Sequence, residues 1–207
     1  MSTPPAAPED GFDDLDSDPI VQFDRWFHEA ASSQQIQEPA AMSVASVGPD
    51  GPSVRMVLLR GFDERGFCFF TNYESQKGRE LLADPRAAAA LYWDPLRRQV
   101  RLTGRVEQTS AAESDEYHAS RARGSQLAAW ASDQSRPIES RAALEARYAD
   151  AMARFGDGPV PRPPHWGGFR LVPQRIEFWQ ARRDRLHDRM LYERQADGSW
   201  LRRRLMP

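Results

Sequence analysis

The chain has 207 residues, 40% of them apolar and 28% charged, enough for one sizeable core and too few for two typical domains and a linker. A formal charge of −2 and a pI near 6.1 argue against a nucleic-acid partner, since an acidic balance repels a phosphate backbone. No apolar run approaches the ~18 residues of a membrane span, and the first residues are acidic and Pro-containing where a signal peptide is basic and then apolar, so a soluble cytoplasmic protein is expected.

In chain order, residues 1 to 24 carry seven acids and no base, and residues 1–18 read as a disordered acidic arm before a single domain over 19–207. Asp18 is a plausible N-cap for a helix from Pro19 to about Ser33, with Ile20, Phe23, Trp26 and Phe27 on one face. Residues 42–47 and 53–59 form a hairpin about the turn Gly48-Pro49-Asp50-Gly51-Pro52, and 67–71 is a third strand. Within it the single cysteine, Cys68, reads as a small buried hydrophobe. A helix over 75–83 stops at Asp84-Pro85, and 87–93 with 99–106 make a second hairpin. Residues 111–120, 125–132 and 140–155 are helical, 159–164 is a Pro-rich connector, and 169–179, 189–194 and 200–205 close as strands. Short antiparallel strands with helices inserted between hairpins indicate a small β-barrel of the α+β class.

Several chemistries lack their motifs. Gly-x-Gly-x-x-Gly, the P-loop and Gly-x-Ser-x-Gly are all missing, and four histidines without paired spacing offer no metal cluster. What the chain offers is arginine interleaved with aromatics, suited to a flat, phosphorylated ligand because guanidinium forks match phosphate oxygens and stack on rings. Lys77 is the only lysine among 28 basic residues, which singles it out.

Three clusters follow. If residues 185–189 are extended, Arg185, His187 and Arg189 share one face, though the same run also reads as a solvated basic edge strand. Arg55 and Arg60 bracket an apolar strand centre. Tyr117, Arg121 and Ser125, four apart, share a face if one helix runs through them; an ordinary exposed face is the plain alternative.

Taken together, Arg55-Met56-Val57-Leu58-Leu59, Phe70-Thr71-Asn72, Arg98-Gln99-Val100, Ser125 to Ser132, Gln134-Ser135, Trp166-Gly167-Gly168-Phe169-Arg170, Ile176 to Gln180 and Arg185-Leu186-His187-Asp188-Arg189 occur in an order that closely resembles the pyridoxine/pyridoxamine 5′-phosphate oxidase family. The resemblance spans residues 19 to 207 and implies an FMN-binding split β-barrel, antiparallel and Greek-key-like, with flanking helices. It also implies a homodimer with FMN at the subunit interface.

The implied activity is oxidation of pyridoxine or pyridoxamine 5′-phosphate to pyridoxal 5′-phosphate by hydride transfer from C4′ to flavin N5, with O2 as acceptor, H2O2 as product and NH3 released from the amine. Such a reaction needs stacked rings and balanced charge, and no protein nucleophile. By resemblance, Arg55 and Lys77 hold the FMN phosphate, with Gln134 and Ser135 reaching in from the partner. Met56, Val57, Leu58, Leu59, Phe70 and Thr71 wall the ribityl chain and ring, and Gln99, Trp179 and Arg189 add flavin contacts. Arg60, Tyr117, Arg121 and Ser125 match a substrate phosphate clamp, while Arg185 and His187 match the catalytic pair over the pyridine ring.

Three features depart from the family pattern: Arg60 stands where lysine is usual, Gln76 where arginine is common beside the FMN phosphate, and the first 18 residues are acidic and lack a tyrosine. Two other functions stay open: a flavin oxidase of another aromatic or dihydro-heterocyclic substrate, of the phenazine-biosynthesis type, and a flavin- or pyridoxal-phosphate-binding protein without turnover.

Overall fold

The computed structural model describes residues 12–207. Helix α1 (Pro19–Ser32) starts where Asp18 accepts a hydrogen bond from the Ile20 N–H at 2.8 Å. It buries Phe23, Trp26 and Ala30. The Phe23 ring meets Phe62 and Phe67 edge-on at 4.8 Å, and Trp26 meets Phe178 at 5.1 Å and 90°. Each such burial stabilises by about 2 to 3 kcal/mol, so this helix plugs the barrel instead of decorating it.

Strands β1 (Ala41–Gly48) and β2 (Gly51–Leu58) form the first hairpin, turned at Gly51, whose φ of +107° suits glycine. An unanticipated short strand, β3 (Gly61–Asp63), pairs with β4 (Gly66–Asn72). Helix α2 (Gln76–Ala83) is capped by Ser75, and β5 (Arg86–Trp93) and β6 (Arg98–Gln108) form the second hairpin. Helices α3 (Ala111–Ser120), α4 (Arg123–Ala131) and α5 (Arg141–Phe155) lead to the long strand β7 (Trp166–Gln180), then β8 (Asp188–Arg194) and β9 (Trp200–Arg204).

All pairings are antiparallel. The strand order is β2-β1-β5-β6-β7-β4-β3, with β8 pairing β7 and β9, so the expected α+β class holds. Fifteen-residue β7 is the spine, because it alone touches β4, β6 and β8. A bulge at Thr103/Gly104 bends β6 around it, and Gly104 leaves room for the Val172 carbonyl, which a Cβ there would meet at 2.1 Å. No helix among the described residues is long and apolar enough to cross a membrane.

Four expectations are corrected. Residues 12–18 pack against the barrel, whereas acidic composition suggested a disordered arm. Phe12 and Leu15 are buried, the Tyr192 hydroxyl donates to the Asp16 carbonyl at 2.6 Å, Arg202 donates to the Leu15 carbonyl at 2.6 Å, and Arg204 pairs with Asp13. The rest of the proposed arm, residues 1–11, lies outside the described residues. Cys68 is half-buried, because alternation on β4 turns Phe67 and Phe69 into the core and Cys68 to the other face.

No single helix carries Tyr117, Arg121 and Ser125: α3 ends at Ser120, Arg121 caps it with extended dihedrals, and α4 begins two residues later. Nor are residues 185–187 extended. Residues 183–185 make a tight turn in which Asp184 and Arg185 have left-handed φ of 55° and 62°, and the strand starts only at Asp188.

Candidate functional site

A cleft of about 650 Å³ opens between β2, β4 and the α3–α4 corner. Met56, Val57, Leu58 and Arg60 come from β2 and its exit, Phe70 and Thr71 from β4, Lys77 from α2, and Tyr117, Arg121, Ser125 and Gln134 from the helical insert. The helix break that separates Tyr117 from Ser125 still turns both into this cleft, with Arg121 at the bend. Three cations and no carboxylate line it.

Lys77 is the deepest of the three. Its Nζ donates to Gln134 Oε1 at 2.8 Å, Thr71 Oγ1 at 3.0 Å and Ser75 Oγ at 3.4 Å, all neutral oxygens. Burial, with the Arg55 charge adding to it, lowers its pKa to about 8. A buried ammonium facing only neutral oxygens at the start of a helix suits an anionic group, and the phosphate of FMN has that chemistry.

Arg121 is the second. Its Nη1 is buried without a hydrogen-bond partner, and its guanidinium carbon lies 4.6 Å above the Trp166 ring. Burial pulls its pKa below the ordinary value; Tyr117 opposes this and Arg60 adds to it.

Other residues expected at the site lie elsewhere. Arg55 turns its guanidinium away from the cleft, to Ser46 Oγ and Ser53 Oγ at 2.6 Å each and to Glu80 at 3.2 Å. Burial opposes ionisation of Glu80, yet hydrogen bonds from Ser46, Ser53 and Gln76 and the Arg55 charge bring its pKa down to about 2. Gln76 thus serves Glu80, donating at 2.9 Å. Leu59 is in the core.

Gln134 meets Lys77 of its own chain, whereas the resemblance placed it on the partner's site: the segment after α4 folds back, with Asn72 Nδ2 donating to the Ser132 carbonyl at 3.3 Å. Ser135 instead borders a separate depression beside Gln76 and Glu80.

A second group forms on the far end of the sheet. Gln99, Trp179 and Arg189 are neighbours across β6, β7 and β8. The Trp179 and His187 rings lie 4.7 Å apart. The Arg182 N–H donates to His187 Nδ1 at 3.1 Å, so the neutral ring carries its proton on Nε2. Arg185 is exposed on its turn. Arg189 is held by buried Glu177 at 2.8 Å. No residue of this group lines the cleft.

Sequence reasoning missed Glu80 and Glu177, the carboxylates that tie down Arg55 and Arg189, and gave no role to Trp166, which lines the cleft. The signal for Trp166 was the glycine pair behind it. A Cβ at Gly167 would meet Tyr73 Oη at 2.2 Å, and one at Gly168 would meet Thr109 Oγ1 at 2.5 Å and Phe70 Cε1 at 2.8 Å, so only glycine permits this packing.

Known proteins resemble this chain in sequence and fold. The family model described as pyridoxamine 5′-phosphate oxidase matches residues 28–154, and that described as the pyridoxine 5′-phosphate oxidase C-terminal dimerisation region matches residues 166–207. A pyridoxine/pyridoxamine 5′-phosphate oxidase of Burkholderia lata is 59% identical over 197 residues, covering 94% of this chain and 91% of the relative. One from Ralstonia pickettii is 57% identical over 195 residues, with the same coverage.

Among solved structures, PhzG from Burkholderia lata in complex with tetrahydrophenazine-1-carboxylic acid superimposes with a TM-score of 0.89 at 34% identity, covering 97% of this chain and all of that one. A pyridoxamine 5′-phosphate oxidase-related, FMN-binding protein from Nostoc punctiforme shares the fold at a TM-score of 0.73 and 19% identity, over 93% of this chain and all of that one. Two matching family models and relatives this similar over nearly the whole length leave one conclusion: the chain belongs to the pyridoxine/pyridoxamine 5′-phosphate oxidase family of split-barrel oxidoreductases.

Proposed function

We propose that this chain oxidises pyridoxine 5′-phosphate and pyridoxamine 5′-phosphate to pyridoxal 5′-phosphate, with FMN as cofactor and O2 as final acceptor. The observation that carries this reading is the cleft in which Arg60, Arg121 and Lys77 converge with no carboxylate. Three cations in one site answer two phosphorylated ligands, a cofactor and a substrate, better than one neutral ligand.

Bound FMN supplies the two-electron acceptor. Lys77, with Thr71 and Gln134 beside it, would hold the cofactor's phosphate. Arg60 and Arg121 would grip the vitamer phosphate, with the hydroxyls of Tyr117 and Ser125 completing the clamp. Arg185 and His187 would cover the pyridine ring, His187 donating from Nε2 to a ring substituent. Since these two lie outside the cleft of their own chain, the reading requires a homodimer in which each subunit's C-terminal turn closes the other's cleft. The match of residues 166–207 to a dimerisation region supports this, because it contains Trp179, Arg185, His187 and Arg189.

A second reading, oxidation of a phenazine precursor, is favoured by the likeness to PhzG. The relatives named for the vitamer activity are more similar, at 57 to 59% identity against 34%, and a monocarboxylate offers the Arg60–Arg121 pair half the charge of a phosphate. Oxygen uptake by the FMN-loaded protein separates the two. Turnover of either phosphorylated vitamer with pyridoxal 5′-phosphate formed supports the first; turnover of tetrahydrophenazine-1-carboxylic acid alone supports the second; a yellow protein with neither is a carrier.

A further inference from the structure

The cleft has an aromatic floor. The Phe70 and Tyr117 rings stack at 3.9 Å and 19°, and Trp166 lies nearly parallel to both, 6° from Tyr117 and 15° from Phe70. Its indole is wedged from behind by buried His118, edge-on at 5.3 Å and 73°, and its backbone is pinned by the glycines that follow it. Arg121 rests on this floor with its guanidinium carbon 4.6 Å from the ring centre.

That placement needs explanation, because Arg121 is the α3 C-cap residue and its side chain has no carboxylate partner among the described residues. A desolvated guanidinium without a counter-charge is costly, and it would swing to solvent unless another surface held it. The face of an indole is such a surface: it offers the negative part of its quadrupole and takes no hydrogen-bond donor from the fork, so the edge of the guanidinium stays free for an anion. Lys77 lacks this device and is held by three oxygens instead.

We infer that Trp166 is the positioning residue of the phosphate clamp: it holds the Arg121 guanidinium over its ring, in place for the substrate's phosphate before substrate arrives. This rests on the reading of Arg60, Tyr117, Arg121 and Ser125 as a clamp given above. Trp166 acts through Arg121, so its loss weakens substrate capture and spares the chemistry.

The test uses the FMN-loaded dimer. Trp166→Leu should raise KM for pyridoxine 5′-phosphate by about 10-fold with kcat within about 2-fold, the size expected of a desolvated cation–π contact. Trp166→Phe, which keeps a ring face and folds more safely, should recover most of the loss. In an Arg121→Ala background Trp166→Leu should add nothing. An unchanged KM, equal losses in both backgrounds, or a fall in kcat that Trp166→Phe does not rescue overturns the inference.

Inorganic phosphate keeps the two proposals apart, its binding being read as a shift in the flavin absorbance. If the wild-type protein oxidises neither vitamer, the functional reading fails. The role of Trp166 then stands if Trp166→Leu weakens phosphate binding by about 10-fold, and falls if it does not.

Discussion

Arg55 and Glu80 meet at 3.2 Å between β2 and α2, and the same carboxylate oxygen accepts from Ser46 and Ser53 at 2.6 Å each. A charged pair so enclosed ties the first hairpin to the helix that carries Lys77. Removing one member should therefore cost stability and disturb the proposed flavin-phosphate site. Glu80→Gln is expected to destabilise by about 3 kcal/mol in urea unfolding near neutral pH. Glu80 titrates near 4.5 when unfolded and at about 2 when folded, so its contribution is complete above 4.5 and fades as pH falls toward 2. The gap between wild type and variant should accordingly narrow at about pH 3; a constant gap would contradict the linkage.

Lys77 is shifted in the same direction, but as a base it is penalised in its charged form at neutral pH. Its pKa falls from 10.5 to about 8 on folding, so the flavin-free chain gains stability as pH rises through that interval. On the proposed role of Lys77, capture of the flavin phosphate requires the ammonium form. The Kd for FMN in fluorescence titrations should rise above about pH 8 in the wild type. Lys77→Met should weaken binding by about 30-fold and abolish that pH dependence. Full flavin content after dialysis of the variant would count against the assignment.

Gly78 sits where α2 crosses the chain at residues 72–73. A Cβ there would lie 2.2 Å from the Tyr73 carbonyl oxygen and 2.6 Å from that of Asn72. Alanine would improve helix propensity by about 1 kcal/mol, but a backbone clash of this depth costs about 3 kcal/mol. The clash wins. Gly78→Ala should lower the thermal midpoint, and a raised midpoint would show that α2 can shift freely.

Arg185→Ala should keep its flavin while kcat/KM for pyridoxine 5′-phosphate falls on the order of 100-fold. If each active site draws Arg121 from one subunit and Arg185 from the other, mixing Arg121→Ala and Arg185→Ala chains during refolding rebuilds one intact site per mixed dimer. Activity should return to about a quarter of wild type, since about half the dimers are mixed and each has one working site of two. No recovery, with mixed dimers demonstrated by mass, would place both residues in one subunit's site.

Much of this was legible in local patterns. Asp18 with Pro19 announced α1, and alternation with Gly-Pro-Asp-Gly announced the first hairpin. The cleft was harder. Tyr117, Arg121 and Ser125 suggested a continuous helix through spacing of four, yet they converge because the helix breaks at Arg121, and a break without Gly or Pro leaves little trace in composition.

Glu80 carried no signal at all. On α2 it resembles any solvated helix acid, and the hydroxyls that bury it come from Ser46 and Ser53 on neighbouring strands. The left-handed Asp184 and Arg185 were equally hidden, since single positive φ values at non-glycine residues follow from tertiary closure more than from propensity.

The docked segment at residues 12–18 has a practical corollary for anyone handling the protein. Trimming to residue 19, as its acidity would invite, would uncover the Trp26 ring that Phe12 covers at 6.4 Å and strip Asp13 from Arg204. Arg204 also pairs with Asp188, the residue after His187, so a cut made for crystallisation would be felt at the turn proposed to close the neighbouring subunit's cleft.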